Sequence, residues 1–142
     1  MQIIDRLLEK PCYIIDFLPI KVPRDCGEQF FEVEDYLLKQ YGCYGLKDRF
    51  IRVVLKSMCY DSVSVYWEEW IEQPSPEQIV EIINVIMEEH LGNMNMLFTS
   101  KNVLLQLEGD SLHMSLYNPD KEMCLLFEQI AFSEGMFLRK AE

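Results

Sequence analysis

Between Ser57 and Ser100 the chain has no lysine and no arginine. Asp61, Glu68, Glu69, Glu72, Glu77, Glu81, Glu88 and Glu89 all fall in that gap, and the 142 residues together carry a net charge of −11. Sequence-independent affinity for DNA or RNA comes from neutralising phosphates, so this balance opposes nucleic-acid binding. No apolar run approaches the roughly 18 residues that span a bilayer, which excludes a membrane helix on pattern. The opening MQIIDRLLEK carries Asp5 and Glu9 where a leader would be basic and then apolar, so a cytoplasmic protein is expected.

Other absences narrow the chemistry. The five cysteines (Cys12, Cys26, Cys43, Cys59, Cys124) are scattered and odd in number, with no C-x-x-C. Reduced thiols are expected, with no zinc site, since zinc needs closely spaced ligand pairs. Cys26, two residues after Arg24, is the one candidate for a reactive thiol. There are only two histidines. His90 follows Glu88-Glu89 and lacks the i, i+4 partner of a helical metal motif. His113 lies at two-residue spacing from Ser111 and Ser115, but no G-x-S-x-G elbow accompanies it. No P-loop, dinucleotide fingerprint or EF-hand loop is present, so no cofactor and no metal are expected.

Apolar residues make up 49% of the chain and charged residues 26%, a balance suited to a packed core and one domain over residues 1–142. The stretch Met94–Pro119 organises it, reading as three consecutive antiparallel strands. With Gly109-Asp110 at the centre of a type II′ turn, Leu107 pairs with Leu112, Leu105 with Met114 and Val103 with Leu116 on one apolar face. The opposite face then pairs Gln106 with His113. A second tight turn at Lys101-Asn102 sets Phe98 opposite Leu105 and Met96 opposite Leu107. Asn102 tolerates the positive φ that such a turn needs.

Helices surround this sheet. Ile3, Ile4, Leu7 and Leu8 fit a short first helix over 2–9, stopped by Pro11. Cys12–Leu18 reads as a strand between two prolines, with Asp16 pointing outward at an edge. Asp25 and Glu28 form a capping-box pattern ahead of a helix over 26–41, with Phe30, Val33, Leu37 and Tyr41 inward. A helix over 46–59 buries Leu46, Phe50, Val53 and Val54 and shows Lys47, Arg49, Arg52 and Lys56 on its solvated side, available to the protein's own acids. Residues 61–67 alternate as a strand that extends toward Trp70-Ile71. Ser75-Pro76-Glu77-Gln78 starts a helix that runs to Leu91 and stops at Gly92. Asp120 starts the last helix, which ends near Gly135, and Met136–Leu138 fits a short edge strand. The expected class is α+β: one domain, a mainly antiparallel sheet of about four strands, covered by amphipathic helices.

The same acid-rich gap holds both tryptophans and two tyrosines. Tyr66, Trp67, Glu68, Glu69, Trp70 and Glu72 are the candidate binding residues: indole rings as anchors, carboxylates to steer a basic protein partner. The expected function is a small acidic interaction module, such as an inhibitor or immunity-type protein, and not an enzyme. Two alternatives compete with it. One is an enzyme or small-ligand binder using the exposed sheet face around His113, Ser111 and Glu108. The other is a self-associating structural protein, since oligomeric state is not written in the sequence.

Overall fold

The computed structural model describes residues 2–40 and 44–141. The elements are α1 (Gln2–Leu7), β1 (Cys12–Asp16), α2 (Gly27–Lys39), α3 (Leu46–Ser57), β2 (Val63–Trp67), β3 (Glu69–Glu72), α4 (Pro76–Glu89), β4 (Asn93–Phe98), β5 (Val103–Glu108), β6 (His113–Tyr117), α5 (Lys121–Ser133) and β7 (Phe137–Lys140). A 3-10 turn at Arg24–Cys26 precedes α2. The strands form one antiparallel sheet in the order β3-β2-β4-β5-β6-β1-β7. The α+β class stands, but the sheet has seven strands where the sequence pattern suggested about four. Among the described residues, no helix is long and apolar enough to cross a membrane.

One face of the sheet is uniformly apolar. Val63, Val65, Met94, Met96, Phe98, Leu105, Leu107, Met114, Leu116 and Ile15 are all buried there. Three helices cover it: α3 with Phe50, Val53 and Val54, α4 with Ile79, Ile82, Ile83 and Ile86, and α5 with Met123, Phe127 and Ile130. The outer face is covered only in part. There Ile4 and Leu7 of α1 pack on Leu104, flanked by Tyr66, Leu97 and Tyr117. Farther along the same face, Gln106 Nε2 donates to Asn95 Oδ1 at 2.9 Å and Asn95 Nδ2 donates to Asn93 Oδ1 at 3.2 Å, which satisfies two buried amides.

Both expected hairpins form, each two residues out of the anticipated register. Leu107 faces Met114 and Leu105 faces Leu116. Met96 faces Leu105 and Phe98 faces Val103. A two-residue slip keeps every side chain on its face, so the apolar alternation cannot detect it. The connections are four-residue loops, Thr99–Asn102 and Gly109–Leu112, in place of two-residue turns. Asn102 does take the left-handed conformation, at φ 53°.

Other corrections have local causes. Asp16 does not point outward at an edge: β7 lies outside β1, and Asp16 is buried with its Oδ2 3.1 Å from Arg139 NH2. The Asp25–Glu28 box is absent; Cys26 is the α2 N-cap and its side chain caps no helix N–H. Val33 and Phe31 of α2 are exposed, while Phe30, Leu37 and Leu38 are half-buried. Tyr41 and Gly42, expected to close that helix, lie outside the described residues, as does Cys43. The strand at 61–67 does not continue, because Glu68 at φ 65° reverses the chain and starts β3 as a separate strand. α4 carries the full capping box, with Gln78 N donating to Ser75 Oγ at 3.2 Å and Ser75 N donating to Gln78 Oε1 at 2.8 Å. It stops at His90, which is left-handed at φ 56°, two residues before Gly92. Asp120 caps α5 by accepting from Met123 N at 2.8 Å.

Candidate functional site

The acid-rich gap folds into an edge hairpin and the helix that follows it. β2 and β3 pair with Tyr66 opposite Trp70 and Trp67 opposite Glu69. Alternation therefore splits the six candidate residues. Tyr66, Trp70 and Glu72 share the outer face, Trp67 and Glu69 the helix-covered face, and Glu68 is the tip. Tyr66 and Trp70 meet edge-to-face with ring centroids 5.3 Å apart. Tyr66 is half-buried against the α1 cluster, whereas Trp70 is 37% exposed. Trp67 leans on the main core, and a Cβ built on Gly92 would lie 3.2 Å from its ring. The indole of Trp67 is thus structural, and Trp70 is the ring presented to solvent.

Glu68, Glu69 and Glu72 are exposed, and among the described residues no ion pair reaches them. The basic side of α3 is occupied elsewhere. Arg52 Nε and Lys56 Nζ both lie 2.6 Å from the Glu134 carboxylate at the end of α5. Lys47 is buried and lies 3.7 Å from Glu88. Arg49 lies where a Cβ on Gly135 would meet its guanidinium at 3.2 Å. Three of the four basic residues of that helix face are answered by the protein's own acids, as expected. Lys47, however, is buried and not on the solvated side, and Arg49 has no ion pair among the described residues; the hairpin acids are left unanswered.

A second acidic surface escaped the sequence reading. A groove of about 480 Å3 is lined by Phe31, Leu38 and the carboxylates of Glu28, Glu32, Glu34, Asp35 and Asp110. Its signal is the helical spacing of Glu28, Glu32 and Asp35, masked because Lys39 offsets the local charge count. Asp35 is paired with Lys39 at 2.8 Å.

His113 faces Asp16 across the β1–β6 ladder, while Gln106 faces Ser115. Ser111 lies in the loop before β6, off the strand, so the expected Ser111–His113–Ser115 row is not formed. Glu108 is exposed at the end of β5, opposite Asn93. Cys26 is exposed with its Sγ 3.9 Å from Asp25 Oδ1, beside an acid and not a base. His90 Nδ1 is 3.2 Å from Gly109 O and ties the end of α4 to the β5–β6 loop.

Two carboxyls titrate away from the ordinary 4.5 in opposite directions. Burial pushes Glu34 up, aided by Asp16 and Asp110 and opposed by the Leu112 main-chain bond and His113. At Glu134 burial also disfavours the charge, but the bonds from Lys56 and Arg52 outweigh it and hold the carboxyl low. A raised carboxyl favours folding below the unfolded value and loses that contribution as pH rises through the folded one; a lowered carboxyl does the reverse. Glu34→Gln should therefore stabilise the protein at neutral pH. Glu134→Gln should destabilise it there by about 1.5–3 kcal/mol, the range for hydrogen bonds to charged groups. Both differences should shrink as the buffer falls below 4.5, read as urea midpoints across pH; equal effects at every pH would contradict the assignment.

The fold defines an antiparallel α+β domain with helices mainly on one sheet face. Comparison with family models, with curated proteins and with solved structures returned no match.

Proposed function

We propose that the protein is a non-catalytic interaction module that docks on a basic protein partner through the β2–β3 edge, in the manner of an inhibitor or immunity-type protein. The observation that carries this reading is Trp70: a partly exposed indole on an edge strand whose outer side pairs with no strand among the described residues, between Glu69 and Glu72, whose carboxylates no cation of the described chain neutralises. Uncompensated charge at the rim steers a basic partner and raises its on-rate. A buried aromatic anchor then supplies most of the affinity. The ring is preorganised by Tyr66 behind it. An open edge also offers main-chain groups that a partner strand can bond.

Backbone conformation adds support. Glu68 at φ 65° and Gln73 at φ 47° bracket β3, and neither is glycine. Each left-handed non-glycine residue costs roughly 1–2 kcal/mol, and strain of this kind collects at functional segments.

The test compares affinity capture from the native host by the wild-type chain, by Trp70→Ala and by Glu68→Gln/Glu69→Gln/Glu72→Gln. Glu9→Gln/Glu122→Gln, at exposed positions after α1 and on α5, removes two charges elsewhere and serves as the control. A basic protein held by the wild type and the control should be lost from the other two, with Trp70→Ala costing about 2 kcal/mol, a roughly 30-fold weaker Kd. Equal capture by all four proteins would sink the reading.

A further inference from the structure

The sheet has two edges, and they differ in what they can accept. β3 is disfavoured for its own copy by charge: Glu68, Glu69 and Glu72 of two chains would gather six carboxylates along one seam, and the register about Trp70 would set Glu72 directly opposite Glu68.

The β7 edge is different. Ala141 N donates to Cys12 O at 2.9 Å, in line with the β1–β7 register. Hydrogen-bonded pairs alternate along an antiparallel ladder, so Phe137 and Arg139 also bond inward to β1. The N–H and C=O groups of Leu138 and Lys140 consequently point outward, where no strand among the described residues lies. Beside that edge is a groove of about 400 Å3 lined by Pro19, Phe132, Phe137, Leu138 and Glu128, among others. Phe132 is 71% exposed, Leu125 two turns earlier on α5 is 49% exposed, and Ile20 is 72% exposed. Arg139 is answered by Asp16 and Lys140 offsets Glu128, so on a molecule of net charge −11 this edge carries no surplus of acid and is a place where a second acidic copy can approach.

We propose that a second copy of this chain pairs antiparallel with β7 about a two-fold axis, continuing the sheet and burying the apolar groove and Phe132. Centred on Leu138, the register sets Leu138 opposite Leu138, Phe137 opposite Arg139 and Met136 opposite Lys140 of the second copy. Leu138 meets Leu138 with its outward N–H and C=O groups, while the Met136 N–H stays on Ala131 O at 2.8 Å; each pair shares a face, and no like charges stand opposite. Arg139 keeps its bond to Asp16 and lies across the new ladder from the ring of Phe137, an aromatic–cation pair on one face. The contact is isologous and closes at two chains. Pairing β7 with β3 of another copy also matches charges, but it leaves the apolar groove facing the acid-bearing hairpin and does not close.

The test is the mass of the full chain in solution, by light scattering and sedimentation from about 1 to 200 µM. Lys140→Pro blocks the edge without losing a bond to β1, because that N–H points outward. Twice the 16.8 kDa chain mass is expected for the wild type and for Glu69→Gln/Glu72→Gln. Lys140→Pro should be monomeric with unchanged far-ultraviolet dichroism. Should that variant fail to fold, Phe132→Ser decides, with a dissociation constant raised at least about tenfold. A wild-type monomer throughout, a dimer that survives both substitutions, or masses that climb past the dimer would each overturn the proposal. Because the glutamine pair leaves this dimer intact, its failure and that of the basic-partner reading are separately visible.

Discussion

Phe127→Ala should lower stability by about 3–5 kcal/mol, a large share of the roughly 5–15 kcal/mol that holds a domain together. Phe127 is fully buried on α5 and meets Phe98 of β4 edge-to-face at 5.7 Å. Met123 and Ile130 flank it on the same helix face in the same core. Truncation removes the ring's burial and leaves a cavity that neighbours held by the sheet ladder cannot fill. The aromatic pair adds about 0.5–1.5 kcal/mol beyond area. Urea unfolding followed by dichroism reads the result: a lower midpoint with an unchanged slope. Phe31→Ala, at a ring 64% exposed, should move the midpoint by less than about 0.5 kcal/mol. Similar losses from the two substitutions would mean that α5 is not the lid of this core.

Gly109→Ala should also be damaging, though less so, for a reason that no turn rule supplies. A Cβ there would lie 2.7 Å from Ile86 O, 2.8 Å from Leu91 N and 2.9 Å from His90 C. All three are main-chain atoms of the α4 terminus, so no flexible side chain can yield. The same junction is laced by Gly109 N donating to Gly92 O at 3.2 Å and by the His90 ring at Gly109 O. Adding one methyl must push the end of α4 from the end of β5, at about 1–3 kcal/mol. Trp67 packs on Gly92, so its emission should shift along with the urea midpoint. A variant as stable as the wild type, with the same emission, would show that the junction is looser than the geometry states.

The glycine was visible in the sequence, but its purpose was not. A glycine before aspartate between two apolar runs has the signature of a tight turn, and the alternation on either side assigned faces correctly. Face assignment fixes register only modulo two, and the four-residue loops settled the remainder. Elements with strong local signals, such as the Ser75 box and the Ile79–Ile86 stripe, were readable. β1 and β7 were harder, because their partners come from opposite ends of the chain and no local periodicity reports such pairing. That is why Asp16 looked like an edge residue and is instead an interior acid held by Arg139.

The candidate site was legible as composition and not as surface. A gap without cations reads directly from the sequence, whereas which ring faces solvent depends on the reversal at Glu68. The non-glycine residue there at φ 65° carries no reliable turn signature. Had β2 continued, Trp70 would lie on a longer interior strand. Reversal instead places it on the edge and leaves Trp67 against the core. The groove of α2 was hidden differently, since its acids are interleaved with Phe31 and Leu38 and read as an ordinary amphipathic helix.

The most direct measurement is amide hydrogen exchange on the full chain, free and with its captured basic partner at saturation. Slowed exchange should be confined to Tyr66 through Glu72, strongest at the unpaired amides of β3 and weakened when salt is raised. Unchanged exchange at those residues, or protection centred on the acidic groove of α2 instead, would contradict the claim that the β2–β3 edge is where this protein binds.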